Sequence, residues 1–279
     1  MTSTFRIARR WAGVLALSGA AVTTGCASAG QISPQQEAQM GAQYAAEVNR
    51  QLPIVQTPAV HYYINQLGNS IAQRADQRGI QYTFYVVNAP EVNAFAIPGG
   101  HIYLNRGLIE RAENMSELAG VLGHEIGHVV ERHGIEQMAR MQNAQMAVNL
   151  GYVLLGRAPG GLEQVGLQLG AGAFFARHSR EAEFEADVVA INYLIASGIH
   201  PRGLATMFEK LIAERNREPS RVEQWFSTHP LSEDRIARVT QVISQTPANR
   251  LTGLTVNTNE FTQFQQRVRQ LPAAPQASR

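Results

Sequence analysis

Residues 123–128 read Gly-His-Glu-Ile-Gly-His (GHEIGH) and contain the His-Glu-x-x-His pattern within a stretch predicted to be helical. Positions i and i+4 share one face of a helix, about 6 Å apart along its axis, so His124 and His128 can reach one metal ion. Glu125 lies one step round the helix, where a base for a metal-bound water is needed. The pattern also fits two histidines on a solvated helix face. His133 lies off the shared face and is predicted to cap the helix end.

A second predicted helix offers a third ligand, which a catalytic zinc requires beside an open fourth position. Ser179 is predicted to begin this helix, which carries Glu183 and Asp187 at i and i+4. Glu183 can complete the ligand set, and Asp187 can accept the N–H of a ligand histidine. Two other glutamates in this stretch lack an aspartate four residues later, and His178 is a weaker alternative ligand. Although acids also favour an ordinary helix start, the pairing with His-Glu-x-x-His predicts one zinc ion per chain.

The rest of the chain is predicted to be mainly helical with one small group of strands. Ser33, Ser116, Ser179 and Ser232 are predicted helix caps, and the helices are predicted over residues 34–51, 58–78, 116–133, 179–197, 202–217 and 232–245. Aromatic and β-branched residues predict strands at 82–87 and, around the turn Pro98-Gly99-Gly100, at 93–104. This pattern indicates the α+β class, with a zinc site between two helices.

Two segments stand apart from this pattern. Residues 135–176 are almost uncharged, but neither half reaches the ~20 apolar residues of a membrane-spanning helix. We predict a helical hairpin that covers the site or touches a membrane surface, with a re-entrant membrane segment as the alternative. Residues 251–279 are rich in Gln, Thr, Asn and Pro and are predicted to form a weakly ordered tail.

The first thirty residues have the pattern of an export signal. Three arginines precede the uncharged apolar run 11–22, which is too short to span a bilayer. Cys26, the single cysteine, follows small residues as in a bacterial lipobox, so we predict lipidation there; an ordinary cleaved signal with an incidental cysteine is the alternative. Residues 1–25 are interpreted as a lipoprotein signal peptide and 26–31 as an anchor linker. Ala27 resembles the sorting signal for the outer membrane.

Composition excludes several classes of protein. Removal of residues 1–25 takes three of the 24 basic residues, which leaves 21 against 22 acidic residues and a net charge of −1. A nearly neutral chain with Lys210 as its single lysine has no electrostatic footprint for nucleic acid. One cysteine excludes a disulfide framework and a thiolate-rich metal site. A hydrophobic content of 44% supports one sizeable domain, predicted over residues 32–250.

The strand that begins at Asn93 is a candidate binding site for substrate. An exposed edge strand presents unpaired backbone groups, with which an extended peptide can pair. Such pairing reads the main chain rather than side chains, which suits unfolded proteins. We therefore predict that Asn93, Ala94 and Phe95 bind substrate, with a purely structural hairpin as the alternative.

The motifs together resemble metallopeptidase family 48, which includes the CAAX prenyl endopeptidases, the heat-shock protease HtpX and the mitochondrial OMA-type proteases. The resemblance rests on 124–128 with 183–187, on 93–100 with 107–109, and on Thr228-His229-Pro230 followed by Arg235. It spans about residues 32–243 and favours the periplasmic lipoprotein branch of the family, the LoiP-like or BepA-like members. We expect the compact form, without a tetratricopeptide domain.

The resemblance implies a zincin-like fold and metal-assisted peptide hydrolysis. Zinc on the three predicted ligands would polarise the scissile carbonyl, with Glu125 as the base that takes a proton from water. The resemblance also implies that His229 and Arg235 lie near the zinc and steady the oxyanion or the substrate. A second hypothesis is that His229 closes the fourth position on zinc in a resting state.

We therefore predict a zinc endopeptidase that is anchored to the outer membrane and faces the periplasm. Its partners would be misfolded or misassembled envelope proteins, which it degrades. The first alternative is a chaperone or assembly factor that holds envelope proteins through the edge strand and cleaves them only secondarily. The second alternative is a zinc hydrolase of cell-wall amides.

Overall fold

The computed structural model describes residues 32–140 and 177–274 of the 279-residue chain. The predicted signal peptide, the lipidation residue Cys26 and most of the predicted hairpin 135–176 lie outside the described residues; residues 133–140 are helical. In chain order the elements are α1 (Pro34–Gln51), α2 (Pro58–Ala75), β1 (Thr83–Val87), β2 (Ala94–Ile97), β3 (His101–Asn105), α3 (Arg106–Arg111), α4 (Met115–Val130), α5 (Arg180–Ala196), α6 (Arg202–Arg217), α7 (Pro219–Thr228), α8 (Glu233–Gln245), α9 (Ala248–Leu251) and α10 (Asn259–Arg269).

Three of the predicted helix starts are confirmed by side-chain caps. Ser33 accepts a hydrogen bond from the backbone N–H of Gln36, whose side chain accepts one from the backbone of Ser33, so α1 begins with a capping box. Ser179 and Ser232 cap α5 and α8 through the same kind of serine bond. These short-range bonds satisfy N–H groups that a helix start otherwise leaves free.

The predicted bounds of the helix 116–133 are wrong at both ends. Asn114, rather than Ser116, caps α4, because its side chain accepts the N–H of Glu117. The helix ends at Val130, and Arg132 has a φ of 61°, a conformation that an α-helix does not contain. His133 therefore does not cap α4, and it begins the next helical residues instead.

The three strands form one sheet with β3 in the middle. β1 lies parallel to β3 on one side, and β2 lies antiparallel to it on the other. The turn that joins β2 to β3 contains Gly99 and Gly100 with φ values of 83° and 89°, which glycine adopts without steric cost. The predicted hairpin is confirmed, and β2 is an edge strand of the sheet within the described part of the chain.

Helix α4 lies in the middle of the protein and packs against α2, α5, α6 and the sheet. Every residue from Met115 to Val129 is buried. A Cβ atom at Gly127 would lie 2.9 Å from the carbonyl oxygen of Ala186, so glycine allows the backbone of α5 to approach α4 closely. The close approach brings the two predicted ligand helices side by side.

The C-terminal residues differ from the predicted weakly ordered tail. Residues 259–269 form α10, capped by Thr258, and Phe261 and Phe264 are buried. The ring of Phe264 stacks on Tyr63 of α2 at a centroid distance of 4.4 Å. The polar composition of this segment hid an apolar face at i, i+3 and i+7, which Val268 completes.

The described elements confirm the predicted α+β class, mostly helical with a small sheet. Among the described residues, no helix combines the length and the apolar character that crossing a bilayer requires.

Candidate metal centre

The three predicted ligands meet at one buried point between α4 and α5. The Nε2 atoms of His124 and His128 lie 3.0 Å apart. The carboxylate of Glu183 lies 3.4 Å from Nε2 of His128 and 3.6 Å from Nε2 of His124. His229 joins them, and all four side chains offer donor atoms within 4.8 Å of one another.

The geometry and chemistry of this group fit a metal ion. Donor atoms at about 2.0–2.1 Å from a tetrahedral zinc would lie about 3.4 Å apart, which is close to the observed separations. Burial lowers the pKa of His124 and of His128 well below the usual value, so both imidazoles are neutral. Burial raises the pKa of Glu183, but Arg235 and His229 outweigh it and hold that pKa well below its usual value. Two neutral imidazoles and a carboxylate are the deprotonated ligands that a divalent ion needs.

Asp187 and Arg235 form a buried support for the ligands. Oδ1 of Asp187 lies 2.9 Å from Nδ1 of His124, as the sequence predicted for a residue that orients a ligand histidine. Arg235 donates to Asp187 from Nε at 2.6 Å and from Nη2 at 2.7 Å, and it also donates to Glu183. The guanidinium of Arg235 therefore connects two carboxylates of α5: that of Glu183, which faces the metal site, and that of Asp187, which contacts His124.

Glu125 lies beside the ligand group and is fully buried. Its Oε1 atom accepts no hydrogen bond from the described residues, and Nε2 of His229 lies 3.5 Å away. Burial raises the pKa of Glu125 to about 7. A buried carboxyl with an unsatisfied oxygen and a pKa near neutrality has the properties of a general base.

His229 is held by aromatic packing and by the ligand carboxylate. It follows α7 directly, and its ring stacks on Trp225 at a centroid distance of 4.4 Å. Its Nδ1 atom lies 3.1 Å from Oε1 of Glu183 and 3.3 Å from Nε2 of His124. The sequence placed His229 near the ligands only through the family resemblance, because a His-Pro pair alone is typical of a loop.

Two further histidines surround His128, and sequence reasoning gave them little weight. The ring of His178 stacks on that of His128 at a centroid distance of 4.0 Å, and burial together with His128 lowers the pKa of His178 to about 2. Nδ1 of His133 lies 2.9 Å from Nδ1 of His128. His133 therefore contacts a ligand ring instead of capping a helix. The position of His178, next to the helix cap Ser179, was the available signal.

A narrow cleft opens in front of Glu125 and His128, and β2 borders it. Phe95 and Ala96 of β2 line the cleft together with Pro98 from the following turn. Asn93 is buried just before β2, and its Oδ1 atom has no hydrogen-bond partner among the described residues. The predicted substrate strand thus lies directly beside the ligand group.

A buried His, His and Glu group on two adjacent helices, with a buried carboxyl group and an edge strand beside it, is the arrangement expected of a metallopeptidase. The sequence profile of Peptidase family M48 matches residues 58–243, and the chain belongs to this family. The resemblance seen in the motifs is confirmed.

Three similar proteins have names that describe proteases, in agreement with the family match. The chain is similar to a beta-barrel assembly-enhancing protease of Escherichia coli K12, with 33% identity over 219 residues, which cover 76% of this chain and 45% of that protein. It is 34% identical to the metalloprotease LoiP of the same strain over 176 residues, 63% of this chain and 66% of LoiP. Mitochondrial metalloendopeptidase OMA1 of Arabidopsis thaliana is 33% identical over 159 residues, 56% of this chain and 30% of that protein.

The chain spans less than half the length of the first of these relatives. Family and relatives together identify it as a metalloendopeptidase, and the predicted enzyme class is confirmed.

Proposed function

We propose that the chain is a zinc-dependent endopeptidase of the cell envelope that degrades misfolded or misassembled periplasmic and outer-membrane proteins. The observation that carries the proposal is the convergence of His124, His128 and Glu183 on one buried point, with the orphan oxygen of Glu125 beside it. Two imidazoles and one carboxylate whose donor atoms lie 3.0 to 3.6 Å apart would suit zinc better than magnesium or calcium, which prefer oxygen ligands.

Peptide hydrolysis follows from the positions of these side chains. When bound, zinc supplies a Lewis acid that activates water and polarises the scissile carbonyl. Glu125 takes the proton of the water and passes it to the leaving amine, which its raised pKa of about 7 favours. His229, with Nε2 directed toward Glu125, donates to the carbonyl oxygen as negative charge develops on it.

Arg235 and Asp187 serve as positioning residues. Arg235 donates hydrogen bonds to the carboxylates of Glu183 and Asp187 and to the backbone carbonyl of Pro230. Asp187 in turn holds the ring of His124. In the proposed reaction, Arg235 therefore acts on the scissile bond through the ligands that it holds, rather than by donating to the oxyanion itself.

Substrate is proposed to bind as an added strand beside Asn93, Ala94 and Phe95. The edge position of β2 and its place on the cleft support this mode. Recognition through main-chain bonds suits clients that have lost their fold.

The envelope location rests on the N-terminal sequence. The charged start, short apolar run and single Cys26 support export and lipidation, and Ala27 supports the outer membrane. Labelling cells with a radioactive fatty acid tests this part of the proposal. Wild-type protein should carry label in the outer-membrane fraction, and a Cys26→Ser variant should not.

The decisive experiment for the enzyme combines metal analysis with proteolysis. Purified wild-type protein should contain one equivalent of zinc and cleave unfolded casein, whereas His128→Ala should lose both. Exposed His61 on α2 is the matched control, and His61→Ala should retain zinc and activity. Zinc content in His128→Ala equal to that of the wild type would contradict the ligand assignment.

A role in assembling envelope proteins is the second candidate, because one relative is named a beta-barrel assembly-enhancing protease. Glu125→Gln separates the two candidates, since it removes the base and leaves the edge strand intact. Loss of complementation of an envelope defect would support proteolysis as the function, and full complementation would support assembly. The family match favours peptide bonds over the cell-wall amides considered from the sequence.

A further inference from the structure

A second cavity, of about 210 Å³, adjoins the metal centre at Glu183, and no residue of β2 lines it. Its lining holds five arginines, namely Arg177, Arg180, Arg215, Arg235 and Arg238. Only two carboxylates line it, those of Glu183 and Asp234. A concave surface with this excess of positive charge favours an anion, although it is partly open to solvent.

Four of these arginines have no carboxylate partner among the described residues. Arg235 is the exception, because it binds Glu183 and Asp187. Glu181 is exposed and lies in electrostatic range of Arg180 and Arg238, but it forms no ion pair with either of them. The guanidinium groups of the other four arginines are thus free to bind a ligand.

Aromatic rings hold two of the free arginines of the cavity, which belong to different helices. The guanidinium of Arg215, on α6, lies 4.5 Å from the ring centre of Phe226. The guanidinium of Arg238, on α8, lies 5.6 Å from the ring centre of Phe184. A guanidinium that stacks on a ring keeps its N–H groups in one plane and able to bind a carboxylate in bidentate fashion.

Two helices add to the positive potential of the cavity. Arg180 is the first residue of α5, and Ser232 caps α8, so both helices begin at the cavity wall. A helix N-terminus carries about half a positive charge. The two helix N-termini and the arginines therefore both make the electrostatic potential in the cavity more positive.

We propose that this cavity binds the side-chain carboxylates of acidic segments in peptide substrates. The proposal rests on the endopeptidase function, because Glu183 and Arg235 separate the cavity from the metal centre by the width of one side chain. Pro230 and Leu231 also line the cavity, and their apolar surface suits the methylene groups of Glu and Asp side chains, which inorganic phosphates lack. Acidic segments beyond the scissile bond would then raise the affinity for a client.

Binding to the Glu125→Gln variant, loaded with zinc, tests the cavity without cleavage. A fluorescein-labelled hexapeptide of glutamates should bind at least about tenfold more tightly than its glutamine counterpart, and added salt should weaken its binding. The double substitution of Arg215→Gln with Arg238→Gln should reduce the affinity about tenfold, as expected for two charge-assisted contacts at a partly exposed site. The matched control changes Arg202 and Arg217 to Gln, since both lie on α6 and neither lines the cavity.

Three results would overturn the proposal. The first is equal affinity for the glutamate and glutamine hexapeptides, and the second is an equal loss of affinity in the two double variants. The third is that pyrophosphate displaces the labelled peptide at a lower concentration than unlabelled glutamate peptide does. Thermal unfolding of each variant excludes loss of fold as the cause. Binding without any cleavage by the zinc-loaded wild type would contradict the endopeptidase function and leave the cavity assignment intact.

Discussion

At the residue scale, the ligand side chains of the metal centre are buried and are held by Asp187 and Arg235. Asp187 accepts from Arg235 and contacts Nδ1 of His124, so it fixes which ring nitrogen of His124 faces the ion. Support of this kind affects metal affinity more than chemistry, because it acts on a ligand before any substrate binds.

Replacement of Asp187 by Asn should therefore weaken zinc binding about 10- to 100-fold, while the fold persists. Competition with a chromophoric chelator measures the affinity, and circular dichroism checks the helices. Asp234→Asn, at an exposed acid on α8, is the control and should leave zinc binding unchanged. Unchanged affinity in Asp187→Asn would contradict the positioning role.

His229 has two possible roles that one substitution separates. If its imidazole donates to the developing oxyanion, His229→Ala should keep its zinc and lose about 10²- to 10³-fold in kcat. That is the result we expect, and cleavage of a quenched peptide measures it. Higher activity in His229→Ala than in the wild type would instead identify His229 as a fourth ligand that blocks the resting enzyme.

The sequence predicted the ligand residues because their spacing has a direct geometric meaning. Histidines at i and i+4 share a face, and Glu183 with Asp187 repeats that spacing on the second helix. Residues that reach the metal centre from outside the two ligand helices have no regular spacing in the sequence. His178 reaches the ring of His128 from a segment far away in the chain, and His133 reaches it because the backbone turns at Arg132 after α4. Helical spacing could not reveal either contact.

At the element scale, the site depends on how closely α4 and α5 approach. Gly127→Ala would place a methyl group 2.9 Å from the carbonyl oxygen of Ala186. Although alanine favours a helix by about 1 kcal/mol over glycine, we expect lower stability and weaker zinc binding, because α5 must move away. Gly123→Ala is the graded comparison and should be milder, since its nearest contact is a Cβ atom at 3.3 Å. Urea unfolding and chelator competition measure the two effects.

Glu37 connects α1 to the strand that we propose binds substrate. It is buried, lies 3.2 Å from Nη1 of Arg78 and 3.1 Å from Nε of Arg132, and accepts the N–H of Gly99 at 3.4 Å. Arg132 follows the metal helix, and Gly99 lies in the turn after β2. One carboxylate thus fixes the edge strand relative to the metal helix.

Glu37→Gln should lower the free energy of unfolding by about 2 kcal/mol, because two partly buried arginines lose their anion. It should also raise KM more than it lowers kcat, since the edge strand binds substrate and the ligands stay in place. Denaturant unfolding and steady-state kinetics test both effects. Glu47→Gln removes an exposed pair with Arg50 on the same helix and should change stability by less than about 1 kcal/mol.

Helix starts were predictable where a serine stands three residues before a backbone N–H that it can accept, as at Ser33, Ser179 and Ser232. The start of α4 was not, because Asn114 and Ser116 are both good caps and only tertiary packing selects between them. Helix α10 was not predicted, because most of its residues are polar and only three apolar residues form its buried face.

At the scale of the whole molecule, the C-terminal residues complete the core. Phe264→Ala in α10 should cost about 3–5 kcal/mol of stability, because a fully buried ring that stacks on Tyr63 is lost. Tyr62→Ala, at a side chain 69% exposed, is the control and should stay within about 0.5 kcal/mol of the wild type. Thermal unfolding measures both, and a small loss for Phe264→Ala would restore the expectation of a loosely held tail.

Because α4 has no solvent-facing residue between Met115 and Val129, each of its positions belongs to the core as well as to the catalytic apparatus. A change of substrate selectivity, by evolution or by design, is therefore confined to the elements around α4, because a substitution on α4 itself requires compensating repacking of the core. The exposed arginines of the cavity beside Glu183, namely Arg177, Arg180 and Arg238, are not bound by this constraint, and selectivity can diverge there while the reaction stays the same.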